Sequence, residues 1–368
     1  MHLDSTQTLI QAGVSERLVS VLEDIAHKVE IGADFAISHP DYKPLELPVE
    51  ASARFQKLNP QMQQKYLSLQ LASFLYGIYY NGSMRAALAL DGEENNLPLT
   101  LENNTYLGVD VDFYEQLHKS NCGEGHFDRG WSVVREETDG TLAVTKNGLR
   151  LHIEKLHHLQ PQQQASVGDV VAVLLPKNRV QNGFYMAVGN QGLKSRSDTK
   201  SQLPLVRIYF NLTPAGAVAV MGSLTQQLNQ IAIPFSFKVL YNPRDYARYD
   251  SGVLYFEKSH YDRVRQVITA VYKENELYFK SEVPLFTMQL APGLGLAEEP
   301  DQKFAVAESF GMNRCQIVAQ GLLEATEQGF STASGRIKLI LEQFSRLNID
   351  LQRVHLNAHS TDVYISLF

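Results

Sequence analysis

The chain has 368 residues, 44% hydrophobic and 20% charged, the balance of a globular protein with one large domain or two. Its formal net charge of -7 argues against nucleic acid as an obligatory partner, because phosphate backbones select basic proteins. No apolar run reaches the ~18 residues of a membrane span. Cys122 and Cys315 are too few for a disulfide framework, and "MHLDSTQTLIQ" lacks the basic and apolar runs of a signal peptide, so the expectation is a cytoplasmic protein.

The first third reads as helical. In "SERLVSVLEDIAHKV", Leu18, Val21, Leu22, Ile25 and Val29 recur at helical spacing, and Ser15 is placed to cap the start. After the proline-bearing link "HPDYKPLELP", the stretch "NPQMQQKYLSLQLASFLYGIYYNG" predicts a second long helix, stopped by Asn81-Gly82. Asp91 to Asn104 reads as an irregular loop. Near Gly125 the pattern changes to short alternating strands with hairpin turns at Asp139-Gly140 and Asn147-Gly148. "GDVVAVLLPKN" and "GFYMAVGN" continue the strands, and "NQGLKSRSDTKSQ" is a polar loop. The strand "VRIYFNL" leads into a helix started by Thr213-Pro214, with Ala217, Val220, Met221, Leu224 and Leu228 on one face. Two more strands follow, "IPFSFKVLY" and "GVLYFEK". A helix capped by Ser259 comes next, and at least two further helices follow, around "RCQIVAQGLLEA" and "SGRIKLILEQFSRL". Strands and helices segregate, which predicts an α+β fold: a helical N-terminal region over 1–125, then an α+β domain over 126–368 with a mixed or antiparallel sheet flanked by helices.

Common cofactor motifs fail. "GLGLAEEP" lacks the third glycine of a dinucleotide loop, and no phosphate-binding loop or nucleophile elbow is present. Cys122 with His126 gives two ligands, too few for zinc, and the adjacent His157 and His158 of a strand would point to opposite faces. The expectation is no metal and no cofactor.

What survives is a polar strand face. Period two puts Val206, Ile208, Phe210 and Leu212 on one side and Arg207, Tyr209 and Asn211 on the other. The second face is either solvated or one wall of a site. Lys238 raises the same question inside "PFSFKVLY". Its stem snorkels to water, or its amine is held partly buried for a purpose.

The segments "GFYMAVGN", "VRIYFNLTPAG", "PFSFKVLYNPRDYARYDSGVLYF", "PLFTMQLAPGLGLAEEP" and "ESFGMNRC" resemble, in order, the HopA-type effector family. That family includes type III effectors and the lyase components of class V lanthipeptide and thioamitide biosynthesis. The resemblance covers roughly Gly130 to Leu323, and a more distant one is to phosphothreonine lyases. It implies a metal-independent lyase for phosphoserine or phosphothreonine in a precursor peptide, with a small kinase as partner. Laid over the lyase pattern, Phe237-Lys238 supplies the base lysine. Arg207 and Tyr209 stand where Lys-x-His would be, and Arg248 and Arg314 clamp phosphate. Beside that pattern, Lys177 in "LLPKNR" is expected to add a phosphate contact, and Asn211, on the strand face of Arg207 and Tyr209, to bind peptide backbone. Tyrosine in place of histidine puts the general acid in question, and Arg150-x-His152 is nearer in letters but lacks the following helix and lysine strand. A lysine serves as base when desolvation and neighbouring cations keep it neutral. The alternatives are a non-catalytic effector, a phosphopeptide reader or a kinase-activating partner.

Overall fold

The computed structural model describes residues 5–32, 35–46, 55–91, 108–161, 163–192 and 204–368. Most of the expected loop at Asp91 to Asn104, and of the polar loop "NQGLKSRSDTKSQ", lies outside them. Among the described residues there are nine α-helices and three antiparallel sheets, an α+β fold with helices in the N-terminal region as expected. No helix of the described residues is long and apolar enough to cross a membrane.

The N-terminal helices are α1 (Ser5–Gln11), α2 (Glu16–Lys28) and α3 (Pro60–Leu75). Ser15 caps α2 through a hydrogen bond from the Leu18 N–H. Asn59 caps α3, with a proline in its first turn. The long helix expected through Tyr80 is α-helical only to Leu75. Tyr76–Tyr80 forms a π-helical turn, a distortion frequent at functional sites, and the helix ends at Asn81. Between α2 and α3, β1 (Glu30–Ile31), β2 (Ile37–His39) and β3 (Tyr42–Leu45) make a small sheet.

Helix α4 (Val111–Ser120) leads to a four-stranded sheet in the order β6-β5-β4-β7. Its strands are β4 (His126–Glu136), β5 (Leu142–Lys146), β6 (Leu149–Ile153) and β7 (Val170–Leu175). Trp131, Val133, Leu142, Val144, Ile153, Val171 and Val173 give it a core of its own. His157 and His158, expected on a strand, sit instead in the one-turn helix α5 (Lys155–His158).

The seven-stranded sheet runs β13-β14-β10-β12-β11-β9-β8. In chain order these are β8 (Asn178–Gln181), β9 (Phe184–Val188), β10 (Leu205–Phe210), β11 (Ser236–Leu240), β12 (Gly252–Glu257), β13 (Met288–Ala291) and β14 (Leu294–Glu298). The β13–β14 turn needs its glycine: Gly293 has φ +73°, and a Cβ there would meet the Lys280 carbonyl. One sheet face packs against α6 (Pro214–Gln230) and α7 (Tyr261–Asn275), where Val206, Ile208, Phe210 and Phe237 meet Val220, Leu224, Val264 and Ile268. Thr213 and Pro214 start α6 as expected. The expected cap Ser259 does not cap α7. It lies in a 3-10 turn, and α7 begins at Tyr261 without a side-chain cap.

The opposite sheet face is also covered. Tyr209, Val253 and Ala297 share a core with α3, the π-turn and α8 (Phe310–Glu327), which packs on α9 (Ala333–Arg346). This core crosses residue 125, so N-terminal helices and the C-terminal part bury one another. The face holding Arg207 and Tyr209 is therefore a layer boundary and not a solvated surface.

Beyond α9 the tail is pinned by Glu298, which is fully buried. Its carboxylate accepts from Lys258 Nζ at 2.8 Å, Ser360 Oγ at 2.8 Å, Tyr364 Oη at 3.0 Å and the Asn357 N–H at 3.1 Å. Glu298→Ala would leave the Lys258 ammonium without its anion. The expected loss is about 3–5 kcal/mol, measured by urea unfolding. A loss below 1 kcal/mol would mean that the tail holds by its apolar contacts alone.

Candidate functional site

A cleft of about 400 Å³ opens between the sheet, the π-turn and the stretch 299–309 before α8. Cross-strand register builds its floor. Tyr209 opposes Val253, and Val253 opposes Lys238, so these three share one row on one face. Arg207 opposes Tyr255 in a neighbouring row and stacks over its ring at 5.1 Å. The period-two face read from the sequence is thus continuous with Lys238 across β12.

Lys238 is half-buried. Its Nζ lies 4.2 Å from the centre of the Phe184 ring and 5.7 Å from that of Tyr255. Among the described residues it has no hydrogen-bond or ion-pair partner. The hydroxyls of Tyr209 and Tyr80 are buried at the same cleft, also without a hydrogen-bond partner among the described residues. The two rings meet edge-on at 6.3 Å. Burial pushes the Tyr209 phenol well above its ordinary range, and Arg207 opposes the shift.

The other cations carry carboxylates. Arg248 is buried and donates from Nε to Asp250 Oδ1 at 2.5 Å and from Nη2 to Oδ2 at 2.8 Å. Asn81 and Tyr76 also donate to Asp250. Burial would raise this carboxyl, but Arg248 above all, with the Asn81 hydrogen bond and the nearby Lys238 charge, holds it below the usual range. Arg207 donates through Nε and Nη2 to Glu299, and Lys303 donates to the same carboxylate.

Four residues read from the sequence, Arg207, Tyr209, Lys238 and Arg248, therefore meet in one cleft. Three do not. Arg314 is buried in α8 and spends its guanidinium on protein acceptors: the Val354 carbonyl at 3.0 Å, the Leu356 carbonyl at 2.8 Å and Asn313 Oδ1 at 2.6 Å. Burial lowers it to about 10, so it stays charged at neutral pH and anchors the tail. Lys177 donates to the Asn121 carbonyl at 2.8 Å, away from the cleft lining. Asn211 lies just past β10, buried, with its amide donating to the Glu282 carbonyl at 3.0 Å. Arg150 and His152 sit on exposed β6 of the smaller sheet.

The residues that sequence reasoning missed are Tyr76, Tyr80, Phe184, Asp250, Tyr255, Glu299 and Lys303. Tyr255 had a signal, since it alternates with Val253 in "GVLYF". Asp250 had one too, two residues from Arg248. His126 is buried with neither ring nitrogen partnered, Cys122 is exposed, and no group of metal-binding side chains is found among the described residues.

Asp245, near Arg248, is a buried carboxyl with an unpartnered Oδ2. Burial pushes it up to about 6, with Arg248 pulling the other way. The folded state then holds this proton more tightly than the unfolded chain. The cost to stability is absent below about pH 4 and grows as pH rises through 6. Asp245→Asn should stabilise the protein by about 1–3 kcal/mol at pH 7 and change little at pH 4. Equal stability at both pH values for variant and parent would show that the carboxyl is solvated.

Residues 175–356 match the HopA1 effector protein family. No curated protein matches the chain. Among solved structures, the effector protein from Pseudomonas syringae pv. tomato strain DC3000 is 13% identical, over 84% of this chain and 95% of that one, with a TM-score of 0.41. The effector protein from Pseudomonas syringae pv. syringae strain 61 is 12% identical, over 81% and 98%, with the same TM-score. The stretch that matches the family contains all seven strands of the large sheet and every lining residue of the cleft except Tyr76 and Tyr80.

Proposed function

We propose that the cleft is the active site of a phosphoserine/phosphothreonine lyase acting on a phosphorylated precursor peptide. The observation that carries this reading is the unpartnered amine of Lys238, set in one cleft with Arg207, Arg248 and the unpartnered Tyr209 hydroxyl. Lys238 takes the Cα proton of the phosphorylated residue. The C–H electron pair becomes the Cα=Cβ bond, the Cβ–O bond breaks, and phosphate leaves with that bond's electrons. Serine gives dehydroalanine and threonine gives dehydrobutyrine. Arg207 stabilises the charge that develops on the leaving oxygens, and Tyr209 is placed to donate a proton to them. The chemistry calls for a base and an anion site, without metal or nucleotide, so a separate small kinase supplies the phosphate.

The test is phosphorus NMR of a phosphoserine peptide mixed with the purified protein and a chelator. Release of inorganic phosphate, with dehydroalanine trapped by added thiol, is the expected result. An unchanged peptide signal at stoichiometric enzyme would defeat the proposal. One observation favours a second reading, a phosphopeptide reader without chemistry. Arg207 and Arg248 already hold Glu299 and Asp250, so each approaches neutrality as a pair. Saturable binding without turnover would decide for that reading.

A further inference from the structure

Glu299 stands where an anionic ligand would compete with it. Its side chain is one-tenth exposed, in the cleft wall just after β14. Oε2 accepts from Nε and Nη2 of Arg207, and Oε1 accepts from Lys303 Nζ. Burial pushes the carboxyl up, and Arg207 and Lys303 more than reverse that. A phosphate oxygen satisfies guanidinium and ammonium donors in the same way as a carboxylate oxygen. Lys303 also donates to the Glu308 carbonyl at 3.0 Å, which keeps its amine at the wall whether or not Glu299 holds it. In the same cleft, the Lys238 amine makes no hydrogen bond or ion pair among the described residues, and the buried hydroxyls of Tyr80 and Tyr209 face only each other, without a hydrogen bond of ordinary geometry. An oxyanion entering there finds these donors unopposed and meets Glu299 at the Arg207–Lys303 side.

We propose that Glu299 is a built-in counter-ion that a bound phosphate group displaces from Lys303 and Arg207, making Lys303 a ligand cation and keeping the affinity for free phosphate low. The identity of the anion rests on the function proposed above; the competition itself rests on the ion-pair geometry. A carboxylate that takes back its two cations helps inorganic phosphate to leave after elimination. The occupied peptide is still held by its other contacts.

The experiment is calorimetric titration of the full chain with inorganic phosphate. Glu299→Gln keeps an acceptor for Arg207 while removing the competing charge. It should lower the Kd for phosphate by about tenfold or more. Lys303→Ala, in the otherwise unchanged chain, should raise that Kd severalfold. A folded Glu299→Gln protein with equal or weaker phosphate affinity overturns the proposal. So does a Lys303→Ala protein that binds phosphate as the parent does, and this second variant decides if the first does not fold. Inorganic phosphate is not turned over, so the result stands apart from the lyase reading. Tighter binding by Glu299→Gln in a protein that never eliminates would keep this inference and remove that function.

Discussion

Lys238→Ala is expected to lower the elimination rate by about 10²–10⁴-fold, the range for loss of a positioned proton acceptor. The fold should survive. The amine makes no hydrogen bond among the described residues and rests on the faces of Phe184 and Tyr255, so alanine strands no partner. Phosphopeptide should still bind, through Arg207 and the tyrosine hydroxyls. Lys238→Arg should be nearly as inactive, because a guanidinium stays protonated and cannot accept the Cα proton. Tyr209→Phe separates two versions of the mechanism: a mild loss means phosphate departs without the phenol's proton, and a loss as deep as that of Lys238→Ala makes the phenol the acid. The measurement is single-turnover kinetics on a phosphopeptide. A folded Lys238→Ala protein that eliminates near the parent rate would take the lysine out of the mechanism.

The second large effect is on stability. Arg248→Ala leaves Asp250 buried among Tyr76 and Asn81 without its cation, an expected loss of about 3–5 kcal/mol. Arg248→Met with Asp250→Leu should recover much of it, since the pair's desolvation cost disappears with the pair. Because the folded Asp250 carboxyl is held below its ordinary range, the pair's contribution is complete above about pH 4–5. It is lost as pH falls through the depressed folded value. The acid limb of the parent's stability curve should therefore flatten in the double variant. Urea unfolding from pH 7 down to pH 3 checks both statements, and a single variant within 1 kcal/mol of the parent would place the ion pair in water.

How far the sequence reached depends on whether a contact is local. Ser15, Asn59 and Thr213 act within a turn of the helices they start, and their caps are legible in the letters. The two-residue period of β10 and β11 placed Tyr209 and Lys238 on the faces opposite Ile208 and Phe237, and β12 joins those faces into one row. What the letters could not give is what covers that row. The π-turn tyrosines come from more than a hundred residues away, and Glu299 reaches Arg207 only through the pairing of β14 with β10. Arg314 misleads for the same reason. Two of its three partners are main-chain carbonyls of the tail, which no residue pattern advertises.

Elimination, hydrolysis and simple binding each leave a peptide of a different mass. A peptide with a single phosphoserine is incubated with the purified protein and weighed by mass spectrometry. Elimination predicts a product lighter by one phosphoric acid, hence one water lighter than the never-phosphorylated peptide, and its absence with Lys238→Ala. A product equal in mass to the never-phosphorylated peptide would mean hydrolysis, and an unaltered phosphopeptide would mean binding without chemistry; either result rules out a lyase.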